Sequence, residues 1–188
     1  MWTSFLETSW PECKLAKPAS QALLEKCENE LSFTLPLPLL QLLRETDGVI
    51  GPNGEILIFP IEEIIECNVD MWFNNEYEGV YLPFVSMLFF GSDEQDNLFA
   101  YPILGDQPDK SKVFRWRRDT DSRMYYANGL EQYFYMQWKC IEQNNPKLWD
   151  QALTCKEFDD YSSFMQARNQ ADFSPDESDD FSPGTMSG

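Results

Sequence analysis

The chain has 188 residues, 43% hydrophobic and 15% aromatic, which is enough for a packed core and excludes global disorder. Its 32 acidic and 14 basic residues leave a formal charge of -18, a field that repels nucleic acid and anionic membrane and draws basic partners. Histidine is absent, which removes Ser-His-Asp and Cys-His nucleophiles, the usual zinc sites and the commonest general base at neutral pH.

The five cysteines, Cys13, Cys27, Cys67, Cys140 and Cys155, are widely spaced and form no C-x-x-C. They read as free thiols of a reducing compartment rather than metal or redox ligands. No apolar stretch reaches the ~18 residues of a membrane span. Residues 1–7 lack the basic and apolar regions of a signal peptide. A cytoplasmic protein without a cofactor is expected.

Trp2, Phe5, Leu6 and Trp10 recur at helical spacing, and Pro11 ends that segment. A second helix is expected over 19–31, with Ser20 as N-cap and Leu23, Leu24 and Cys27 as its apolar stripe. A third covers 37–46, turning Leu39, Leu40, Leu42 and Leu43 inward and stopping at Asp47-Gly48. The turn Gly51-Pro52-Asn53-Gly54 leads into a short strand, 55–59. Pro60 then starts a fourth helix, 61–71, with Ile61, Ile64, Ile65 and Val69 on one side.

The period then changes. Segments 82–90, 97–103 and 112–117 are short, aromatic and bounded by Gly, Pro, Asp and Asn, the pattern of an antiparallel meander. Gly91-Ser92-Asp93 breaks the first of them, and 124–127 adds an edge strand. A helix over 129–143 turns Leu130, Tyr133, Phe134 and Ile141 toward the core. Residues 1–150 thus read as one α+β domain and 151–171 as an extension with a helix near 158–171. Residues 172–188 read as an acidic disordered tail in which Asp-Phe-Ser-Pro occurs twice, at 172 and 180. With five acids and no Lys or Arg, the tail leaves about -13 on the rest of the chain. It is a solubilising extension, a Phe-anchored ligand or a decoy for a basic surface.

The order of these parts resembles the SUKH superfamily, which includes Smi/Knr cell-wall-synthesis regulators and bacterial toxin-immunity proteins. Leu35-Pro36 before a leucine-rich helix ending in Asp47-Gly48 is similar to its entry motif. Ile58-Phe59-Pro60-Ile61-Glu62-Glu63-Ile64 resembles its strand-to-helix step, and Phe89-Phe90-Gly91-Ser92-Asp93 with Asn97-Leu98-Phe99 its hairpin. Val113, Trp116, Asp119, Ala127, Leu130 and Phe134 fit its last strand and closing helix. Val49 and Glu94-Gln95 stand where that family usually has glycine. The resemblance implies a bent antiparallel sheet of about four to six strands with helices packed around it. It also implies a non-catalytic protein that binds and neutralises a toxin, often a nuclease or deaminase.

Two acidic groups are the candidate partner-binding residues. Glu62, Glu66 and Asp70 fall at i, i+4 and i+8 on the fourth helix, forming one stripe with no interleaved Lys. Asp93, Glu94 and Asp96 meet at one strand connection. Between the two groups, Trp72, Phe73, Tyr77 and Tyr81 sit among Asn74, Asn75, Glu76 and Glu78, a composition suited to an interface hot spot. Each group also has a plainer reading as solvated helix face, solvated turn or core under a loop. Arg115, Arg117, Arg118 and Arg123 lie close to Asp119 and Asp121, which suits a charge network within a hairpin better than nucleic-acid binding.

The expected function is occlusion of a basic toxin's active site, with candidate contacts at Glu62, Glu66, Asp70, Trp72, Glu76, Tyr77, Glu78, Asp93, Glu94 and Asp96. The alternatives are a Smi/Knr-like regulator with no toxin partner, and a Mg²⁺-dependent hydrolase using Asp93 and Asp96.

Overall fold

A computed structural model describes residues 1–142; the helix expected near 158–171 and the Asp-Phe-Ser-Pro tail lie outside the described residues. The helices are α1 (Trp2–Ser9), α2 (Gln21–Leu31), α3 (Leu37–Leu43), α4 (Ile61–Phe73) and α5 (Gly129–Glu142). The strands are β1 (Lys14–Leu15), β2 (Val49–Ile50), β3 (Ile56–Ile58), β4 (Met87–Ser92), β5 (Leu98–Leu104), β6 (Gln107–Pro108), β7 (Val113–Arg117) and β8 (Ser122–Ala127). The fold is α+β, as the sequence implies.

Local chemistry sets the helix boundaries. Ser20 caps α2, its Oγ accepting from the Leu23 N–H at 3.2 Å. Pro38 falls in the first turn of α3, where a missing N–H costs nothing. That helix ends at Leu43, short of Asp47-Gly48, which has a different use. Asp47 Oδ1 accepts from the Ile61 N–H at 2.8 Å and so caps α4, whose own N-cap, Pro60, has no side-chain acceptor. Gly48 sits at φ +103°, and a Cβ there would lie 3.2 Å from both Ile58 O and Pro60 N. The Asp-Gly pair therefore clips the end of one helical segment to the start of the next.

Among the described residues the named strands pair antiparallel, in a sheet of five strands within the expected four to six and a further sheet of three. One has the order β1-β2-β3; the other has the order β4-β5-β7-β8, with β6 paired to the end of β5. Pairing of Phe89 with Ala100 and of Gly91 with Phe99 leaves Phe90 as a bulged extra residue. The freed Phe90 carbonyl accepts from the Phe59 N–H at 2.8 Å, joining the sheets. Beside it, a Cβ on Gly91 would lie 2.1 Å from Leu57 O, the same oxygen that accepts from Tyr133 Oη at 2.7 Å. Gly91 thus permits a close approach in mid-strand and does not break the strand as expected.

Both faces of the larger sheet are covered, which is why β4 is buried from Met87 to Gly91. Leu88, Phe90, Phe99 and Tyr101 join the main core with α1, α3 and α5. Met87, Phe89, Ala100 and Trp116 form a second core under Met71 and Phe84. Two expectations are corrected here. On α4, Val69 is 40% exposed and Asn68 is fully buried in its place. In the run 82–90, the strand begins only at Met87, because Pro83 interrupts pairing and Phe84 turns down into the second core.

Candidate partner-binding surface

Residues 74–86 cross the second face of the larger sheet and are held from below by aromatic packing. Phe84 is 2% exposed and stacks edge-on to Trp116 at 5.1 Å between ring centroids. Tyr81 does the same at 5.3 Å, and Tyr77 packs on Phe84 at 6.2 Å. Polar bonds fix both ends of the segment. Asp70 accepts from Tyr77 Oη at 3.0 Å and from Asn74 Nδ2 at 2.9 Å. Asp121 accepts from the Leu82 N–H and from Trp116 Nε1, each at 2.8 Å. Arg123 donates to the Leu82 carbonyl, pairs with Asp121 at 3.5 Å and lies 4.9 Å from the Phe84 ring centroid. The arginine-rich hairpin thus serves as an internal charge network, with Arg117 paired to Asp119 at 3.0 Å.

The loop is well anchored and yet exposes apolar side chains. Phe73 is 70% exposed, Val80 65%, Leu82 62% and Val85 56%. Four such residues within thirteen positions exceed the scattered exposed apolar groups of an ordinary surface. Phe73, Leu82 and Pro83, with the buried Phe84, line a groove of about 390 Å³. Trp72, expected as a contact, is half-buried instead. Its Nε1 donates to Met87 O at 2.9 Å, and its ring packs on Phe33. Phe73 is the exposed member of that pair.

Acidic groups are exposed on the same loop and on the helix that leads into it, and Glu78 lines the groove itself. Glu62, Glu66 and Asp70 are exposed along α4, and Glu76 and Glu78 are exposed in the loop. Glu62 and Glu63 lie in the first turn, where the helix dipole favours them. Asp70, in the last turn, works against the dipole and is occupied in holding Tyr77 and Asn74. Glu66 has neither excuse among the described residues and adds repulsion. Burial, and next the Glu66 charge, pushes the half-buried Glu63 carboxyl above its ordinary pKa.

The second acidic group is split up by the structure. Asp93 is no surface residue: its side chain is enclosed and paired with Arg115 at 2.8 Å. The same carboxylate accepts from the main chain of Gln95 and Asn97 and from Asn97 Nδ2. This Asx-type turn sets the hairpin and lets Asp96 adopt φ 58°. The expectation of Asp93 as a partner contact is corrected on that ground. With its oxygens so committed, Asp93 is also unfit to pair with Asp96 as a Mg²⁺ ligand, and no group of three or more metal-ligand side chains occurs among the described residues. Glu94 is exposed and turns toward the buried Glu55. Their hydrogen bond is the main cause that pushes the Glu94 pKa up. Asp96 lines a cavity beside α4.

Among the described residues the cysteines are unpaired, and burial pushes the thiols of Cys13, Cys27, Cys67 and Cys140 up to about 12. They are inert as nucleophiles at neutral pH. No described helix is long and apolar enough to cross a membrane.

A family model described as the SMI1/KNR4 family (SUKH-1) matches residues 18–136. The chain belongs to the SMI1/KNR4 family. That match runs from the start of α2 into α5 and contains the whole loop-and-stripe surface, while α1 precedes it. No curated protein matches the chain. Within this SMI1/KNR4 domain, sequence reasoning reached the acidic stripe and the aromatic loop but missed Val80, Leu82 and Val85 as surface residues. The signal lay in Gly79 and Pro83, which punctuate that stretch against regular pairing. Glu63 and Arg118, one read as part of the helix and the other as part of a hairpin charge network, line the same cavity as Asp96.

Proposed function

We propose that the protein is a cytoplasmic, non-catalytic immunity-type factor that neutralises a basic protein toxin, of nuclease or deaminase class, by covering its substrate site. The observation that carries this reading is the groove lined by Phe73, Glu78 and Leu82, on a loop that also exposes Val80, Val85 and Glu76 and follows directly on the helix with the exposed Glu62 and Glu66. The apolar residues form a dry contact and the acids meet the cationic residues with which a nuclease holds phosphate. Charge sets the association rate and the buried apolar anchors set the residence time. The self-repulsion of Glu66 is relieved only when a cation arrives.

The test is the affinity of the protein for its captured partner at rising salt. Charge reversal at Glu62, Glu66, Glu76 and Glu78 is expected to slow association at least tenfold and to flatten the salt dependence. Affinity and salt dependence unchanged by the four reversals contradict the reading. Capture of cell-wall or signalling proteins in place of a toxin replaces it with the family's regulator role.

A further inference from the structure

On the other side of Tyr77 and Tyr81 from the apolar groove, a second cavity of about 350 Å³ opens between α4 and the sheet. Its size falls at the small end of the ~300–1,000 Å³ typical of ligand pockets, room for one side chain rather than a folded element. Four aromatic residues, Phe59, Tyr77, Tyr81 and Trp116, line it together with Glu63 and Asp96. Met71 and Leu98 add apolar wall. Among the described residues no lysine or arginine pairs with Glu63 or Asp96. Glu63 is half-buried, and burial first and the Glu66 charge second push its carboxyl above the ordinary value, both of which an arriving cation would offset.

We infer that this cavity receives one arginine side chain of the partner protein, laid against the partly exposed rings of Tyr77 and Tyr81 and forked to Glu63 and Asp96. The inference rests on the partner-binding reading above and names the anchor that reading lacks. A planar guanidinium suits the site better than an ammonium, because it stacks on ring faces while its donors fork to carboxylates. The apolar wall takes the three methylenes of the stem. Arg118 also lines the cavity and opposes a cation, but it is exposed, as Asp96 is, which leaves the half-buried and less screened Glu63 as the net charge of the site. An acidic occupant facing Glu63 and Asp96 is disfavoured on the same count. Arginine is among the residues most enriched at interface hot spots, which suits a single deep anchor.

The probe is the capped pentapeptide Gly-Gly-Arg-Gly-Gly, titrated into the full chain while the Trp116 indole N–H signal is followed by NMR. Saturable movement of that signal is expected, with the citrulline peptide, a neutral isostere, at least tenfold weaker. Glu63→Gln and Asp96→Asn, both at solvent-accessible positions, are expected to weaken the arginine peptide at least fivefold each, and Arg118→Gln to tighten it. Equal binding of the citrulline peptide, binding of a Gly-Gly-Asp-Gly-Gly peptide through Arg118, or no saturable movement overturns the inference. The toxin reading is judged separately by the charge-reversal measurement, so failure of the pocket alone leaves it standing. A pocket that binds arginine in a protein whose four reversals change nothing keeps the pocket and drops the toxin.

Discussion

The carboxamide of Asn68 stands in for a neighbouring strand opposite Phe89. Its Nδ2 donates to Phe89 O and its Oδ1 accepts from the Phe89 N–H, both at 2.8 Å. The remaining amide hydrogen goes to Ile64 O at 2.7 Å. A β4 edge that would otherwise present an open pair of main-chain groups is closed by a helix side chain. Trp72 does the same two residues along, through Met87 O. The second half of α4, which carries Asp70 at the end of the acidic stripe, is thereby locked to the sheet.

Asn68→Ala is expected to orphan both main-chain groups of Phe89 in a fully buried setting. Leaving each unsatisfied costs about 1–3 kcal/mol, so a loss of roughly 2–6 kcal/mol is expected in urea unfolding with an unchanged m-value. A loss under 1 kcal/mol would mean that water replaces the amide.

Gly91→Ala puts a methyl group 2.1 Å from Leu57 O, against main chain that cannot yield. The variant is expected to unfold or to lose the joint between the sheets, as read by near-UV circular dichroism. Tyr133→Phe tests the same joint gently. Removing its 2.7 Å bond to Leu57 O is expected to cost about 1–2 kcal/mol.

Arg115→Met leaves the Asp93 carboxylate enclosed without its cation, at an expected cost of about 3–5 kcal/mol. Thermal denaturation checks this. Partner affinity of the surviving folded fraction is expected to be unchanged, because neither residue reaches the surface. A selective loss of binding with stability intact would return Asp93 to the interface.

Acid should stabilise this fold over a definite window. Glu63, through burial and then Glu66, and Glu94, through its bond with Glu55 and then burial, both have pKa values above the ordinary 4.5. A group raised in the folded state contributes stability that is fully present below 4.5 and is lost as pH rises through the raised value. The melting temperature is therefore expected to rise as pH falls from about 7.5 toward the ordinary carboxyl value of 4.5. Glu63→Gln with Glu94→Gln is expected to raise the value at neutral pH and flatten the difference. A melting temperature that falls steadily from neutral to pH 5.5 contradicts this account.

The sequence made α1 to α5 legible because their apolar residues repeat at helical spacing, and Ser20 and Pro60 mark starts that the structure keeps. The meander strands were legible from aromatic runs between turn residues. Strands of two residues, β1, β2 and β6, carry no period to detect. Asn68 and Val69 exchanged places because a polar residue with three buried hydrogen bonds looks, in sequence, like an outward-facing one. Asp93 was misplaced for the same reason: its cation, Arg115, arrives from a different strand 22 residues away. The exposure of Val80, Leu82 and Val85 was hidden because apolar residues at a binding surface and in a core have one signature. Only packing separates them.

The most direct test of the binding claim captures partners from lysate of the protein's own organism with the full chain and with a Phe73→Ser, Leu82→Ser, Glu66→Lys variant. These positions are exposed, so the variant is expected to fold, and far-UV circular dichroism checks it. The account predicts that the unaltered protein retains a basic partner until high salt and blocks its activity at one-to-one ratio, while the variant neither retains nor blocks it. Equal retention by both proteins, or a captured partner whose activity continues unimpeded, contradicts the account.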